Sequence, residues 1–284
     1  QGQAKQACQL SGWNRKPDLS LFHIFVVAII QGITEFLPIS SSGHLILIPE
    51  FTDWPDQGRA IDVAVHIGTL FAVLLYFWRD VMTAFKGFFL LFVGRNTAGG
   101  RLAFALIVGT IPVVIAGFFA AKTGLIDQMR SAEVIGWTML GFGIVLYAAD
   151  KTGMKIHRME HMTVTNAFVI GLAQVLALVP GTSRSGITMT AARFLGFEAH
   201  EAARFSMLMS IPTILAAGLL DGLDLYEKDQ LALGSDAVVT AVLAFFCATA
   251  ALAAMMAWLK HASFTPFVIY RVLLGTGLLW WVYA

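Results

Sequence analysis

The sequence predicts an all-α polytopic membrane protein, and three observations carry that prediction. Hydrophobic residues make up 57% of the 284 and charged residues only 13%, about half the charge of an ordinary soluble domain. Mean hydropathy is +0.74. Several stretches without charge approach or exceed the roughly 20 residues that cross a bilayer as a helix. A soluble chain of this length cannot hide so much apolar side chain, because the excess would form large exposed patches. Composition therefore excludes a cytosolic enzyme and a disordered chain. A net charge of +1 also excludes nucleic acid as a partner, since a polyanion binder carries a basic surplus.

Taken in order, residues 1–18 are polar, lack an apolar core and so are not a signal peptide. They are read as a tail, natural or expression-derived, outside the fold. Cys8 in that tail and Cys247 in an apolar run form no CxxC, so neither a disulfide framework nor a structural zinc is expected. Residues 19–34 are apolar but run into Glu35 and Pro38, and 36–49 are short, Ser-rich and carry His44. Segment 63–78 is a plausible span, and 85–93 is too short. Residues 102–121, 162–183 and 237–259 are spans without charge; 134–149 and 205–220 are shorter spans, and 262–284 is apolar apart from Arg271. Segment 186–197 is short and carries Arg193. Half-length apolar segments broken by Pro, Gly and Ser predict re-entrant helices, tolerated at membrane depth only where protein or a wet cavity satisfies the backbone. Residues 19–284 are read as one membrane domain with approximate repeats over 19–150 and 162–284.

Loop charge predicts the topology. Arg79, Lys86, Arg95 and Arg101, and then Lys151, Lys155 and Arg158, mark two cytoplasmic loops by the positive-inside rule. The loop 221–236 holds Asp221, Asp224, Glu227, Asp229 and Asp236 against Lys228 and reads as external. Lys260 and His261 fall inside, which leaves the C-terminus outside.

The segment PISSSG (38–43) resembles PGTSRSG (180–186); each follows an apolar helix with a Gln, Gln31 or Gln174, and an offset of 142 aligns the two prolines. Duplicated halves with broken helices at matching places point to a site where the repeats meet.

The segment QGITEFLPISSSGH (31–44) carries most of the chemistry. Gln31 and Glu35 share one helix face, and a carboxylate in so apolar a stretch needs a cation, a metal or a hydrogen-bond network. Ser40, Ser41 and Ser42 supply hydroxyls, Gly43 allows close approach, and a helix starting there offers free N–H groups to an anion. His44 is a candidate general acid or base. In the second segment Arg184 offers a fork matched to phosphate oxygens, with Thr182, Ser183, Ser185 and Thr188 as further donors. Arg271 reads either as partner for a buried acid or as an interfacial anchor. His66 reads as an ordinary packed residue, and His157, His161 and His200 as solvated. Met207, Met209, Met255 and Met256 read as packing. A carboxylate, hydroxyls, an imidazole and a guanidinium together suit phosphoryl transfer.

These two segments resemble the signature motifs of the undecaprenyl-diphosphate phosphatases, also called bacitracin-resistance proteins. WRD (78–80) and SFTPFVIYR (263–271) are similar to that family too, so the likeness runs over about residues 20–284. The resemblance implies an enzyme of the bacterial cytoplasmic membrane. Such an enzyme hydrolyses undecaprenyl diphosphate to the monophosphate carrier lipid plus phosphate, for peptidoglycan synthesis, with Mg or Ca as cofactor. It implies inverted repeats whose re-entrant helix pairs meet at a central cavity open to the outer side, and it leaves room for a homodimer. By position, Glu35 matches the essential second acid of an (E/Q)xxxE motif and Gln31 its first position, so Glu35 and Gln31 are the implied metal ligands. With Gln at 31, a two-carboxylate clamp is in doubt. Ser41 matches the proposed nucleophile or phosphate-contacting Ser, flanked by Ser40 and Ser42. His44 matches the proposed base or acid, and Ser183 with Arg184 the phosphate-binding pair.

Ser42-Gly43-His44 also imitates the type-2 phosphatidic acid phosphatases, but position 190 is Thr where they need His, and no Lys-led Arg-Pro pair exists. A secondary transporter or lipid flippase suits repeats and intramembrane charge equally well, although the Ser and His cluster favours an enzyme. A structural scaffold fits only if Glu35 and Arg184 merely pair with each other.

Overall fold

Serine and threonine set where most helices begin. Ser20, Ser40, Thr97, Ser131, Thr163 and Ser183 each accept a hydrogen bond from a first-turn backbone N–H, which satisfies donors that the helix itself leaves free. The computed structural model describes residues 20–52, 54–55, 57–227 and 235–284. The tail with Cys8, and Lys228 and Asp229 of the acidic loop, lie outside the described residues.

In chain order the helices are α1 (Leu21–Thr34), α2 (Ser41–Phe51), α3 (Arg59–Tyr76), α4 (Trp78–Phe92), α5 (Ala98–Thr123), α6 (Ala132–Thr152), α7 (Val164–Val175), α8 (Arg184–Phe194), α9 (Ala199–Glu227), α10 (Ser235–Leu259) and α11 (Thr265–Tyr283), with one helical turn at Leu125–Gln128. No strand occurs among the described residues; His157 and Phe197 make one isolated bridge. Six helices are long and apolar enough to cross a membrane, namely α3, α5, α6, α9, α10 and α11. Large apolar side chains such as Phe71, Phe119, Phe246 and Leu273 are exposed on them, as expected where the surroundings are lipid. The protein is an all-α, multi-pass membrane protein.

The half-length segments form two helical hairpins. α1 turns at Glu35–Ile39 into α2, and α7 turns at Val179–Thr182 into α8. The second hairpin corrects the span expected over 162–183. Helix α7 stops at Val175, a single 3-10 turn covers Leu176–Leu178, and the chain then reverses. Pro180 cannot extend the helix, and Gly181 at φ 85° turns the backbone back. With α7 and α8 folded as a hairpin, α9 is the one helix of spanning length between the basic 150–161 loop and the acidic loop.

Helix α7 begins 143 residues after α1, and α8 both begins and ends 143 residues after α2. The offset is thus 143 rather than the 142 that the prolines suggest, because the second turn has one more residue between its proline and its capping serine. Each hairpin is braced by a helix from the other half of the chain. α10 packs on α1 and α3, while α5 packs on α7 and α9. At the first contact a Cβ on Gly68 would lie 2.1 Å from the Ala241 carbonyl oxygen, so only glycine lets α3 and α10 approach this closely. The main core includes Phe36, Leu146, Phe205 and Phe264 and takes in Met207, Met209, Met255 and Met256.

Candidate active site

The two hairpin turns meet, and their sequences explain how. Ser40 and Ser183 both adopt φ 71°, which L-residues rarely take. Each caps the helix that follows: Ser40 Oγ accepts from the Gly43 N–H at 3.3 Å and Ser183 Oγ from the Gly186 N–H at 3.1 Å. These turns place Ser41 and Arg184, the first residues of α2 and α8, beside Glu35 at the end of α1.

Glu35 is the hub and is buried. Its Oε2 accepts from Ser41 Oγ at 2.7 Å and from Gln31 Nε2 at 2.8 Å. Its Oε1 accepts from Arg184 Nη2 at 3.0 Å. The ion pair joins the first hairpin to the second, and Ser185 adds a bond from its Oγ to the Leu37 carbonyl at 3.0 Å. Ser183 and Ser185 hydroxyls lie 3.2 Å apart, and those of Ser40 and Ser42 3.4 Å apart. Thr188 bonds within α8 and to Ser206 of α9.

His44 stands on α2, with Nδ1 2.6 Å from the Ser40 carbonyl and Nε2 2.5 Å from the Tyr270 hydroxyl. The carbonyl can only accept, so Nδ1 donates and Nε2 accepts from tyrosine. No hydrogen bond joins His44 to Ser41; the side chain on the Ser41 hydroxyl is Glu35.

His66, read from sequence as ordinary packing, belongs to this cluster. Its Nδ1 lies 2.7 Å from the Asp62 carbonyl and its Nε2 3.2 Å from Gln31 Nε2, with Glu35 Oε2 3.9 Å away. Nδ1 is therefore the donor, and Nε2 accepts from the Gln31 amide, which spans His66 and Glu35. A histidine one helix away, in an apolar run, gave no spacing signal toward Glu35. Only the packing of α3 beside α1 brings the two together. His157 is half-buried, with Nδ1 2.9 Å from the Leu195 carbonyl, and so is not simply solvated.

Arg271 is neither acid partner nor interfacial anchor. It is wholly buried and binds backbone carbonyls of Pro38, Thr138, Met139, Gly181 and Thr182 at 2.9–3.2 Å. Pro38 belongs to one turn, and Gly181 and Thr182 to the other, so one guanidinium from α11 ties both. Its five donors match five acceptors, three of them in the turns, where no helix supplies a partner, and two on α6. No carboxylate among the described residues pairs with it, so beside the Glu35–Arg184 pair the site carries a surplus positive charge. Arg193, also buried, instead pairs with Asp150 at 3.2 Å at the far end of α8.

The buried polar atoms of the two hairpins that lack a hydrogen-bond partner include Gln31 Oε1, Gln174 Nε2, Thr182 Oγ1 and Arg184 Nη1. Buried polar groups are nearly always bonded. Of these residues, Gln31 and Arg184 both bond Glu35, so an oxygen and a cationic donor are left free on the two side chains that hold the carboxylate, where an anion with its counter-ion would fit. A hard divalent cation takes oxygen ligands and often uses one or two carboxylates plus substrate phosphates. Glu35 and Gln31 Oε1 fit that pattern. Among the described residues no group of three His, Cys, Asp or Glu forms a cage, so the remaining ligands would come from hydroxyls, water and substrate.

The family described as bacitracin resistance protein BacA matches residues 24–277. An undecaprenyl-diphosphatase of Roseobacter denitrificans is 55% identical over 267 residues, covering 94% of this chain and all of that protein. One of Jannaschia sp. has the same identity and coverage. One of Hahella chejuensis is 46% identical over 272 residues, again covering 94% of this chain and all of that protein. The chain belongs to the bacitracin resistance protein BacA family.

Proposed function

We propose that this chain is an undecaprenyl-diphosphatase in which Ser41 is the nucleophile and Glu35 its base. The observation that carries this reading is the division of one carboxylate: one oxygen holds the Ser41 hydroxyl at 2.7 Å and the other holds Arg184 at 3.0 Å. The hydroxyl is thus aimed and ready to lose its proton beside a guanidinium that can draw in a phosphate.

Arg184 Nη1, Thr182 Oγ1 and the surplus charge of Arg271 receive the terminal phosphate. Ser41 Oγ attacks its phosphorus while Glu35 takes the hydroxyl proton. The bond from that phosphorus to the bridging oxygen breaks, and undecaprenyl phosphate leaves. Glu35 passes that proton to the departing monophosphate or to water. Water then attacks the phosphoserine, and Glu35 takes a proton from it and returns one to Ser41 Oγ as the Oγ–P bond breaks and inorganic phosphate departs. The sum is diphosphate ester plus water giving monophosphate ester plus phosphate. A Mg or Ca ion bound by Glu35 and Gln31 would neutralise charge on the diphosphate. His44 and Tyr270 stand at the rim, where they can donate to the departing phosphate or to the lipid.

The hairpin order supports an inverted relation between the halves. Three spans (α3, α5, α6) follow the first hairpin and three (α9, α10, α11) the second, so an odd number of crossings separates them. The basic loops support a reading with the first hairpin's entrance on the outer side of the bacterial inner membrane, which suits a substrate presented outside.

The test is phosphate release from a prenyl diphosphate by the purified protein with Mg or Ca, beside Glu35→Ala and Arg184→Ala. Metal-dependent release by the parent, lost in both variants, is the expected result. No release by the parent overturns the reading and favours a lipid carrier.

A further inference from the structure

We propose that the groove between the α4–α5 turn and the start of α7 binds the phosphate of an anionic lipid, held between Arg95 and Arg101. The groove encloses about 670 Å³ and is lined by Leu91, Arg95, Arg101, Phe104, Met162 and Val164, among others, with no acidic side chain. It adjoins a second cavity of about 370 Å³, which shares Arg101 and Met162 with it.

The charges around these two cavities sort into matched and unmatched. Arg204 is held by Asp80 at 2.5 and 3.0 Å and by Glu201 at 3.5 Å, and Arg158 is held by Glu198 at 3.1 Å. Arg95 and Arg101 make no side-chain ion pair with any described residue. The second cavity, which shares Arg101, sets Asp80, Glu160 and Glu201 against Arg101, Arg158 and Arg204, whereas the groove is lined by two guanidinium groups and no carboxylate, each guanidinium able to grip a phosphate through two oxygens.

Position and apolar lining argue for a lipid rather than a soluble anion. The long apolar helix α5 begins at Ala98 and α7 begins at Val164, so the groove lies at the level where spans end and headgroups begin. It also lies at the end of the bundle that carries the basic loops, where anionic lipids concentrate and basic pockets between helices take up their headgroups. Leu91, Phe104 and Val164 continue the groove as an apolar wall, and Phe92 and Val93 beside it are 77% and 72% exposed. A molecule with a phosphate at one end and acyl chain at the other fills both parts. The groove lies at the first residues of α7, whereas Glu35 meets the hairpin beyond the turn at the other end of that helix, and the groove involves none of the residues placed in the reaction.

The probe is phosphatidylglycerol, titrated into phosphatidylcholine nanodiscs holding the full chain, with retained lipid counted by native mass spectrometry. The parent is expected to retain phosphatidylglycerol over phosphatidylcholine. Arg95→Gln and Arg101→Gln each reduce retention about fivefold, while Arg158→Gln, whose charge is already matched, does not. Phosphatase activity in phosphatidylcholine alone stays at the parent level in all three, showing that they fold. A second arm adds inorganic phosphate, which is expected not to displace the lipid. Equal retention by the parent and the two groove variants overturns the proposal. Displacement by inorganic phosphate also overturns it and assigns the groove to a free anion.

Discussion

Glu35 and Arg184 stand 149 residues apart in the chain, and their side chains meet at 3.0 Å. The pair closes one helical hairpin on the other. Were that its only role, exchanging the charges would preserve it. But Glu35 also accepts from Ser41 and Gln31, and an arginine at 35 would confront both with donors. We expect Glu35→Gln to lower kcat by roughly 10²–10⁴, and Glu35→Arg combined with Arg184→Glu to restore none of it. Recovery of turnover in the exchanged protein would reduce the pair to a structural clasp.

Ser41 separates two chemistries. As nucleophile it passes through a phosphoserine; as a binding group it leaves attack to water. Acid quenching with a substrate labelled in its terminal phosphate should trap label on the parent and none on Ser41→Ala, whose turnover should vanish. Residual turnover near the parent rate in Ser41→Ala would assign attack to water.

His66 acts through Gln31. Its Nε2 accepts from the Gln31 amide at 3.2 Å, and that bond keeps Gln31 Oε1 free of His66 and Glu35. Without the imidazole the amide loses one of its two anchors. His66→Ala should therefore raise the Mg or Ca concentration for half-maximal activity several-fold while lowering kcat at saturating metal less than tenfold. A fall in kcat with an unchanged metal requirement would show that His66 does not act through Gln31.

The chemistry was more legible in the sequence than the path of the chain. Glu35, Ser41 and Arg184 stand out because charge and hydroxyls are conspicuous in apolar surroundings. Residues 162–183 misled for the complementary reason: hydropathy sums over Pro180 and Gly181 without registering that the backbone reverses there. Basic and acidic loops at opposite ends of that region held the information, since two crossings would have put them on one side. Arg271 and His66 were beyond reach. The first finds its partners among backbone carbonyls, which have no sequence signature, and the second meets Gln31 only through helix packing.

Arg271 makes five bonds to carbonyls drawn from both turns and from α6. Lysine carries the charge but only three donors and no fork. Arg271→Lys should lower stability by about 2–4 kcal/mol, since buried acceptors left unbonded cost about 1–3 kcal/mol each and some are recovered by relaxation. Thermal inactivation half-lives in detergent would show it, and Arg271→Met should be worse because both turns lose their tie. An unchanged half-life for Arg271→Lys would mean that charge alone holds the turns.

Ser183 combines a cap with an unfavourable backbone, and the two can be separated. Its φ of 71° disfavours any side chain, while its Oγ accepts the Gly186 N–H. Alanine keeps the backbone penalty and loses the cap, a loss of about 1 kcal/mol. Glycine loses the cap too but removes a penalty of about 1–3 kcal/mol for a non-glycine residue held at positive φ. Unfolding midpoints should therefore rank Ser183→Gly at or above the parent and Ser183→Ala below both. The same order is expected at Ser40, which has the same φ and the equivalent cap. Activity should not follow stability. Removing either hydroxyl loosens the first turn of the helix that presents Arg184 or Ser41, so both glycine variants should turn over more slowly than the parent despite their midpoints. Equal midpoints for alanine and glycine would show that the turns relax out of the positive φ once the serine is gone.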